Sequence, residues 1–219
     1  MIPLEDESRR PSQLPLVTIS IIALNAIVFV LELMGGDAFV LRWSAVPAQI
    51  LAGHHWETLL TSMFLHGSWS HIIGNMIYLW AFGPEMEDAM GSRRYAAFYL
   101  LGGIASMAAQ LVFDPHSHVP FLGASGAIAA VMGAFLVTYP GDRIRTVLFF
   151  GIFFRIAFIP AVLLIGFWFV LQLVDLGAVG PAETGGVAYM AHVAGMLFGA
   201  LTGRLFEAGR ARRGGLSYG

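Results

Sequence analysis

Apolar runs recur along the whole chain and are broken only by short polar joints. A bilayer core of about 30 Å takes about 20 apolar residues of helix, and six stretches can be read as crossing it. They run from Leu16 to Met34, Trp69 to Phe82, Tyr95 to Phe113, Leu122 to Tyr139, Ile159 to Leu176 and Val187 to Phe206. Pro and Gly punctuate the joints at Gly35-Gly36, Gly83-Pro84, Asp114-Pro115, Pro140-Gly141 and Gly180-Pro181, where helices are expected to end. Thr146 to Phe158 is apolar too, but Arg155 interrupts it and Pro160 follows. It reads as an interfacial or partly buried segment leading into the fifth span.

Composition makes the reading firmer. Of 219 residues 57% are hydrophobic and only 12% charged, too apolar a mixture for the surface of a soluble domain of this size. The expected fold class is an all-α membrane protein with one domain, residues 16–206, between a cytoplasmic tail at 1–15 and an Arg-rich cytoplasmic tail at 207–219. The first fifteen residues are largely polar and carry no signal-peptide cleavage pattern, so the first apolar run is expected to be kept as a span. Cysteine is absent, which removes disulfides, thiol nucleophiles and thiolate metal sites together.

The net charge of −2 says less than where the basic residues stand. All are arginines, and with six spans Arg9, Arg10, Arg93, Arg94, Arg143, Arg145, Arg155, Arg204, Arg210, Arg212 and Arg213 fall on one side, leaving Arg42 opposite. The positive-inside rule then puts both termini in the cytoplasm, as in a multi-pass protein of a bacterial inner membrane. Under that topology the second span is unusual. Its uninterrupted apolar part, Met76 to Phe82, is too short to cross, and His71 and Asn75 occupy its outer end. Polar groups at membrane depth are buried in protein or line a cavity, so a water-filled recess is expected beneath the outer surface.

Polar side chains inside spans are costly, and four stand out: His71, Asn75, Ser125 and His192. Ser125 lies near the outer start of the fourth span and His192 near that of the sixth, at similar depth. His71 and Asn75 are four apart, hence on one helical face. A serine hydroxyl is a weak nucleophile until a neighbouring base takes its proton, and a neutral imidazole suits that task. Ser125 and His192 fit those roles. An oxyanion would need donors, for which the candidates are the Asn75 amide, the His71 imidazole and the backbone N–H of Ser125, with the backbone at Gly123 a weaker one. Gly195, Gly199 and Gly203 share a face with His192, while Ala129 and Gly133 follow Ser125 by four and eight residues. Small residues at that spacing let helix backbones meet in lipid. Among Asp114, Asp175 and Glu183 no carboxylate is obviously placed to orient His192, so a dyad is favoured over a triad.

These residues resemble a family, the rhomboid intramembrane proteases. The likeness covers roughly Trp56 to Arg204. His66-Gly67-Ser68-Trp69-Ser70-His71-Ile72-Ile73-Gly74-Asn75 resembles the family's second-helix motif, and Glu87-Asp88-Ala89-Met90-Gly91 its acidic helix end. Gly123-Ala124-Ser125-Gly126 matches its GxSG nucleophile motif, and Ala191-His192-Val193-Ala194-Gly195 with Gly199 its histidine helix. The resemblance implies a six-transmembrane-helix bundle and a Ser125–His192 dyad opening to the outer face. It also implies an oxyanion site at Asn75 and His71, no metal or organic cofactor, and substrates that are transmembrane segments of other proteins. Access would be governed by the first loop and a mobile fifth helix. Two positions depart: Ala129 stands where many relatives carry an aromatic packed on the histidine, and the first-loop Trp-Arg pair reads Trp56-Glu57.

Each of these residues also has a blander role open to it. Ser125 taken alone is a helix-packing serine, and His192 a histidine bonded to a backbone carbonyl. His71 and Asn75 serve equally as caps or tethers of their helix. His66 is assigned to structure, with a hydrogen bond inside the first loop. His54, His55, His116 and His118 read as loop residues without the Cys or carboxylate partners of a metal site. Trp43, Trp56, Trp69, Trp80 and Trp168 need only anchoring or packing. Membrane lipids are expected partners and nucleic acid is not. The rival functions are a non-cleaving rhomboid-like helix binder and a small transporter using His71 and His192 as relays.

Overall fold

A computed structural model describes residues 1–151, 153–178 and 189–208. Among them are eight α-helices and three strands. The first helix, α1 (Leu16–Trp43), starts after Pro15, which provides no side-chain cap. The open N–H groups of Val17 and Thr18 are instead taken by the Glu87 carboxylate, at 2.9 and 2.8 Å. A negative charge at a helix N-terminus meets both the orphan donors and the positive end of the helix dipole. Beyond its first turn α1 exposes Leu24, Ile27, Val30 and Leu31, a continuous apolar surface of the kind lipid covers.

The Gly35-Gly36 joint is a kink: Gly36 sits at φ 61°, and the chain resumes as helix to Trp43. The first loop then carries α2 (Pro47–Leu51), α3 (Thr58–Thr61) and a 3-10 turn, Ser62–Phe64. It is pinned by the Ala45–Phe121 bridge and by the His66 N–H donating to Glu32 of α1, at 2.9 and 3.1 Å to its two oxygens. The hydrogen bond expected of the His66 ring inside the loop is not made, since neither ring nitrogen has a partner among the described residues; it is the backbone N–H that reaches across to the first helix, because a buried backbone donor must find an acceptor.

Next come α4 (Trp69–Met90), α5 (Ser92–Phe113), α6 (Ser125–Thr138), α7 (Ala161–Ala178) and α8 (Tyr189–Phe206). The second span does not end at Gly83-Pro84. Helix α4 continues through Pro84 to Met90, and its 22 residues reach about 33 Å. Ser68 opens it as N-cap, accepting from the His71 N–H. Two helices, α1 and α5, are long and apolar enough by length and hydropathy to cross a membrane. Helix α6 has only 14 residues, and every side chain from Gly126 to Phe135 is buried. Surrounded by its neighbours, it needs no lipid-facing surface of its own.

The all-α expectation fails at one end of the bundle. Strands β1 (Ile2–Asp6), β2 (Arg143–Phe150) and β3 (Phe153–Pro160) form an antiparallel sheet in that order, with Asp6 opposite Ile144 and Arg143 opposite Pro160. The apolar run after the fourth span is thus a hairpin, and the first residues of the expected tail are a strand. The run is rich in β-branched and aromatic residues, which favour a pleated surface. It turns at Gly151, whose φ of 64° suits a tight reversal. Within β2, Ile144 and Thr146 are fully buried, the period-two burial of a strand. Hydropathy alone does not separate such a run from a helix.

The same end gathers most of the arginines described. Arg9 pairs with Asp142 and Arg145 with Glu5, while Arg94 donates to the Glu207 carbonyl and Arg204 to the Val137 carbonyl. Arg42 stands at the opposite end beside Glu57, 3.2 Å away. The tail from residue 209 and the segment 179–188, with Glu183 and Gly180-Pro181, lie outside the described residues.

At the arginine-rich end burial raises the Asp6 carboxyl to about 6, against the Ser8 N–H that donates to it, and nearby Asp142 adds to the rise. The folded chain therefore holds the Asp6 proton more tightly than the unfolded chain. Its contribution to folding is full below the ordinary aspartate value of about 3.9 and is lost as pH rises through 6. Asp6→Asn, which mimics the protonated acid, should raise thermal stability in detergent relative to wild type above pH 6. Melting curves from pH 4 to 8 should show the gap closing toward pH 4.

Candidate active site

Ser125 is the first residue of α6, and the chain enters it through Gly123 at φ 129°, a conformation side chains other than glycine rarely adopt. The Gly123 N–H donates to the Ser62 carbonyl at 2.8 Å. That bond ties the approach to α6 onto the first loop. The N–H of Gly123, the weaker of the expected oxyanion donors, is thus already engaged with a backbone acceptor. The Ser125 N–H, at the open end of the helix, has no protein acceptor among the described residues.

His192 lies in the first turn of α8, and its Nε2 is 2.7 Å from the Ser125 Oγ. The two helices reach this separation because their backbones nearly touch. A Cβ placed on Gly195 would stand 2.2 Å from the Gly126 carbonyl oxygen, and one on Gly199 would stand 1.9 Å from that of Ala130. No heavier residue fits. The glycine face of α8 is the one expected, and the opposing surface of α6 presents Gly126, Ala130, Gly133 and Ala134 to it.

On the far side of Gly123 stands His71. A Cβ at Gly123 would come within 2.9 Å of the His71 Cε1 and Nε2, and within 3.6 Å of the Ser125 Oγ. The His71 ring in turn packs edge-on against His66, with centroids 5.1 Å apart. Asn75, one turn farther along the same face of α4, is buried, and its Nδ2 has no hydrogen-bond partner among the described residues. A buried amide donor without a partner carries a free-energy cost that a group arriving in the site would relieve. Ser125, His192, His71 and the approach through Gly123 are thus drawn together from α4, α6 and α8, with Asn75 on the same flank of α4.

Two neighbours of His192 went unrecognised in the sequence. Gln172 of α7 places its Oε1 2.6 Å from the His192 Nδ1. Trp168, one turn earlier on the same face, has its ring centroid 5.7 Å from the imidazole. A signal existed: Gln172 is an amide in an otherwise apolar stretch, and such residues are rarely idle. Glu32, an acid in the first span, carried the same signal and turned out to hold the first loop. His55 sits with Arg42 and Glu57, and among the described residues no group of three His, Asp or Glu has the spacing to hold a metal ion.

A bundle of apolar helices that holds a half-buried, hydrogen-bonded serine–histidine pair at the head of two glycine-packed helices defines a class of membrane protein. A family profile described as the Rhomboid domain matches residues 53–208, and the chain belongs to the rhomboid family. Rhomboid protease GluP of Bacillus subtilis (strain 168) is 35% identical over 133 residues, 59% of this chain and 26% of GluP. Rhomboid protease GlpG of Yersinia pestis (strain Pestoides F) is 28% identical over 201 residues, 87% of this chain and 62% of GlpG. The chain therefore spans about a quarter of GluP and less than two thirds of GlpG.

The backbone contact makes a direct prediction. Gly199→Val drives a side chain into the Ala130 carbonyl and should destabilise the protein by about 1–3 kcal/mol or more, read by thermal denaturation in detergent. Gly166→Ala on α7, where an added Cβ meets nothing within 4 Å, should leave the melting temperature unchanged or slightly raised.

Proposed function

We propose that this chain is an intramembrane serine endopeptidase that cuts transmembrane segments of other membrane proteins near the outer face. The observation that carries the reading is the 2.7 Å contact between the Ser125 Oγ and the His192 Nε2, set beside donors without partners. In this mechanism His192 takes the hydroxyl proton as the Ser125 oxygen attacks the scissile carbonyl carbon. The carbonyl oxygen becomes an oxyanion facing the Ser125 N–H, the Asn75 amide and the His71 ring. As the C–N bond breaks, His192 returns the proton to the leaving amine. Water then enters and loses a proton to His192 as its oxygen attacks the acyl carbon, and the bond to Ser125 breaks as His192 hands that proton back to the Ser125 oxygen.

The topology that goes with this reading has six crossings, α1, α4, α5, α6, α7 and α8, with both ends of the chain in the cytoplasm of a bacterial inner membrane. The gathering of Arg9, Arg94, Arg145 and Arg204 at the end opposite Ser125 supports that orientation. The shortness of α6 supports a Ser125 recessed below the outer surface: its 14 residues reach about 21 Å, against a bilayer core of about 30 Å. A recess of that kind lets water reach the acyl intermediate.

Cleavage of a reporter transmembrane substrate by purified protein in liposomes tests the assignment. Ser125→Ala and His192→Ala should each lower kcat by at least about 1,000-fold with folding retained. Asn75→Ala should lower it by about 100-fold or more, the cost of losing one oxyanion donor. Binding of the reporter without cleavage, together with no labelling of Ser125 by a fluorophosphonate, would instead favour a non-cleaving helix binder.

A further inference from the structure

A base that accepts a proton at one imidazole nitrogen must carry its own proton on the other. Which nitrogen is protonated depends on what each one faces. His192 faces the Ser125 Oγ through Nε2 and the Gln172 Oε1 through Nδ1, at 2.7 and 2.6 Å. An amide oxygen only accepts, so the Nδ1 hydrogen has to lie in that contact. The lone pair is then left on Nε2, pointing at the hydroxyl.

We propose that Gln172 is a positioning residue for His192, its amide oxygen holding the imidazole in the Nδ1–H tautomer in the role a carboxylate fills in a serine–histidine–aspartate triad. This rests on the proteolytic reading above and deepens it. A neutral acceptor suits the place. A carboxylate there would bury a charge among apolar helices, whereas an amide orients the ring at lower desolvation cost. Among the described residues no acidic side chain is hydrogen-bonded or ion-paired to His192. The groups against its ring are Trp168 and Gln172 from α7, Tyr189 from its own helix and Ser125 from α6, and the titratable side chain that acts on it from α4 is His71. Both α7 contacts come from one face, four residues apart, so the orientation of the base depends on how α7 is seated. Much of the rest of α7 is turned outward, with Leu163, Phe167, Val170 and Val174 exposed. A movement of that helix by the length of a hydrogen bond would release the Nδ1–H and free the ring to turn.

Two measurements test this, one of them independent of cleavage. In protein labelled with 15N at histidine, with His192→Asn used to assign the signal, the resting His192 ring should carry its proton on Nδ1. In Gln172→Leu, which keeps the approximate volume and removes the acceptor, it should become a mixture of tautomers. In the reporter assay Gln172→Leu should lower kcat by 10- to 100-fold with KM within about 2-fold. Gln172→Glu should retain most of kcat and move the acidic limb of the pH–rate profile upward by about one unit, as an adjacent negative charge favours the imidazolium. An Nε2–H ring in the wild type, or a Gln172→Leu protein with unchanged ring shifts, kcat and pH profile, would overturn the assignment even if Ser125→Ala abolishes cleavage and proteolysis stands. A wild type that cleaves no reporter but shows the Nδ1–H ring and its loss in Gln172→Leu would leave Gln172 in place and remove the proteolytic reading instead.

Discussion

The contact on which the rest depends is the meeting of two helix backbones, α6 and α8, with almost no side chain between them. Gly195 over Gly126 and Gly199 over Ala130 bring the axes closer than larger residues allow, and that spacing lets a serine on one helix reach a histidine on the other. Lipid tails are as apolar as leucine, so burying oily side chains offers such helices little net drive to associate. Close dispersion contact along a strip of small residues provides it instead. The strip that holds the bundle together also sets the distance at the site.

Around that pair, buried carboxylates do a job usually done locally. Glu87 caps the first turn of α1 and accepts from Ser92, and Glu32 receives the His66 N–H from the first loop. In water an uncapped helix end or a loop amide bonds to solvent. Where water is scarce each such donor must be met by the protein, so a charge that looks expensive inside an apolar bundle answers donors that would otherwise be left bare. These two links tie α1 to the C-terminal end of α4 and to the loop that leads into its start. The flank of the site that carries His71 and Asn75 is thereby framed by contacts far from it in sequence.

How much was legible follows from the same economy of polar groups. A serine, an asparagine and histidines among apolar residues are conspicuous, so Ser125, His192, His71 and Asn75 could be named from their cost alone. Gln172 and Glu32 carried the same mark and were overlooked, because each stood by itself with no motif around it. The hairpin from Arg143 to Pro160 was missed for a different reason: a strand and a buried helix are equally apolar when averaged over a window, and only the alternate burial of Ile144 and Thr146 separates them. The reading of Gly83-Pro84 as a joint failed because a single proline removes one backbone donor without forcing the chain to turn. Helix α4 continues because its neighbours hold it.

Apolar runs and their length mark this chain as a mostly helical membrane protein, and the rarity of polar groups within them marks which residues have a task. Those follow from local chemistry and need no partner. The register of α6 on α8, the commitment of the Gly123 N–H to Ser62 and the pairing of His192 with Gln172 were decided only by tertiary structure. Each depends on which groups remote segments bring within a hydrogen bond's length, and sequence separation contains no information about that distance.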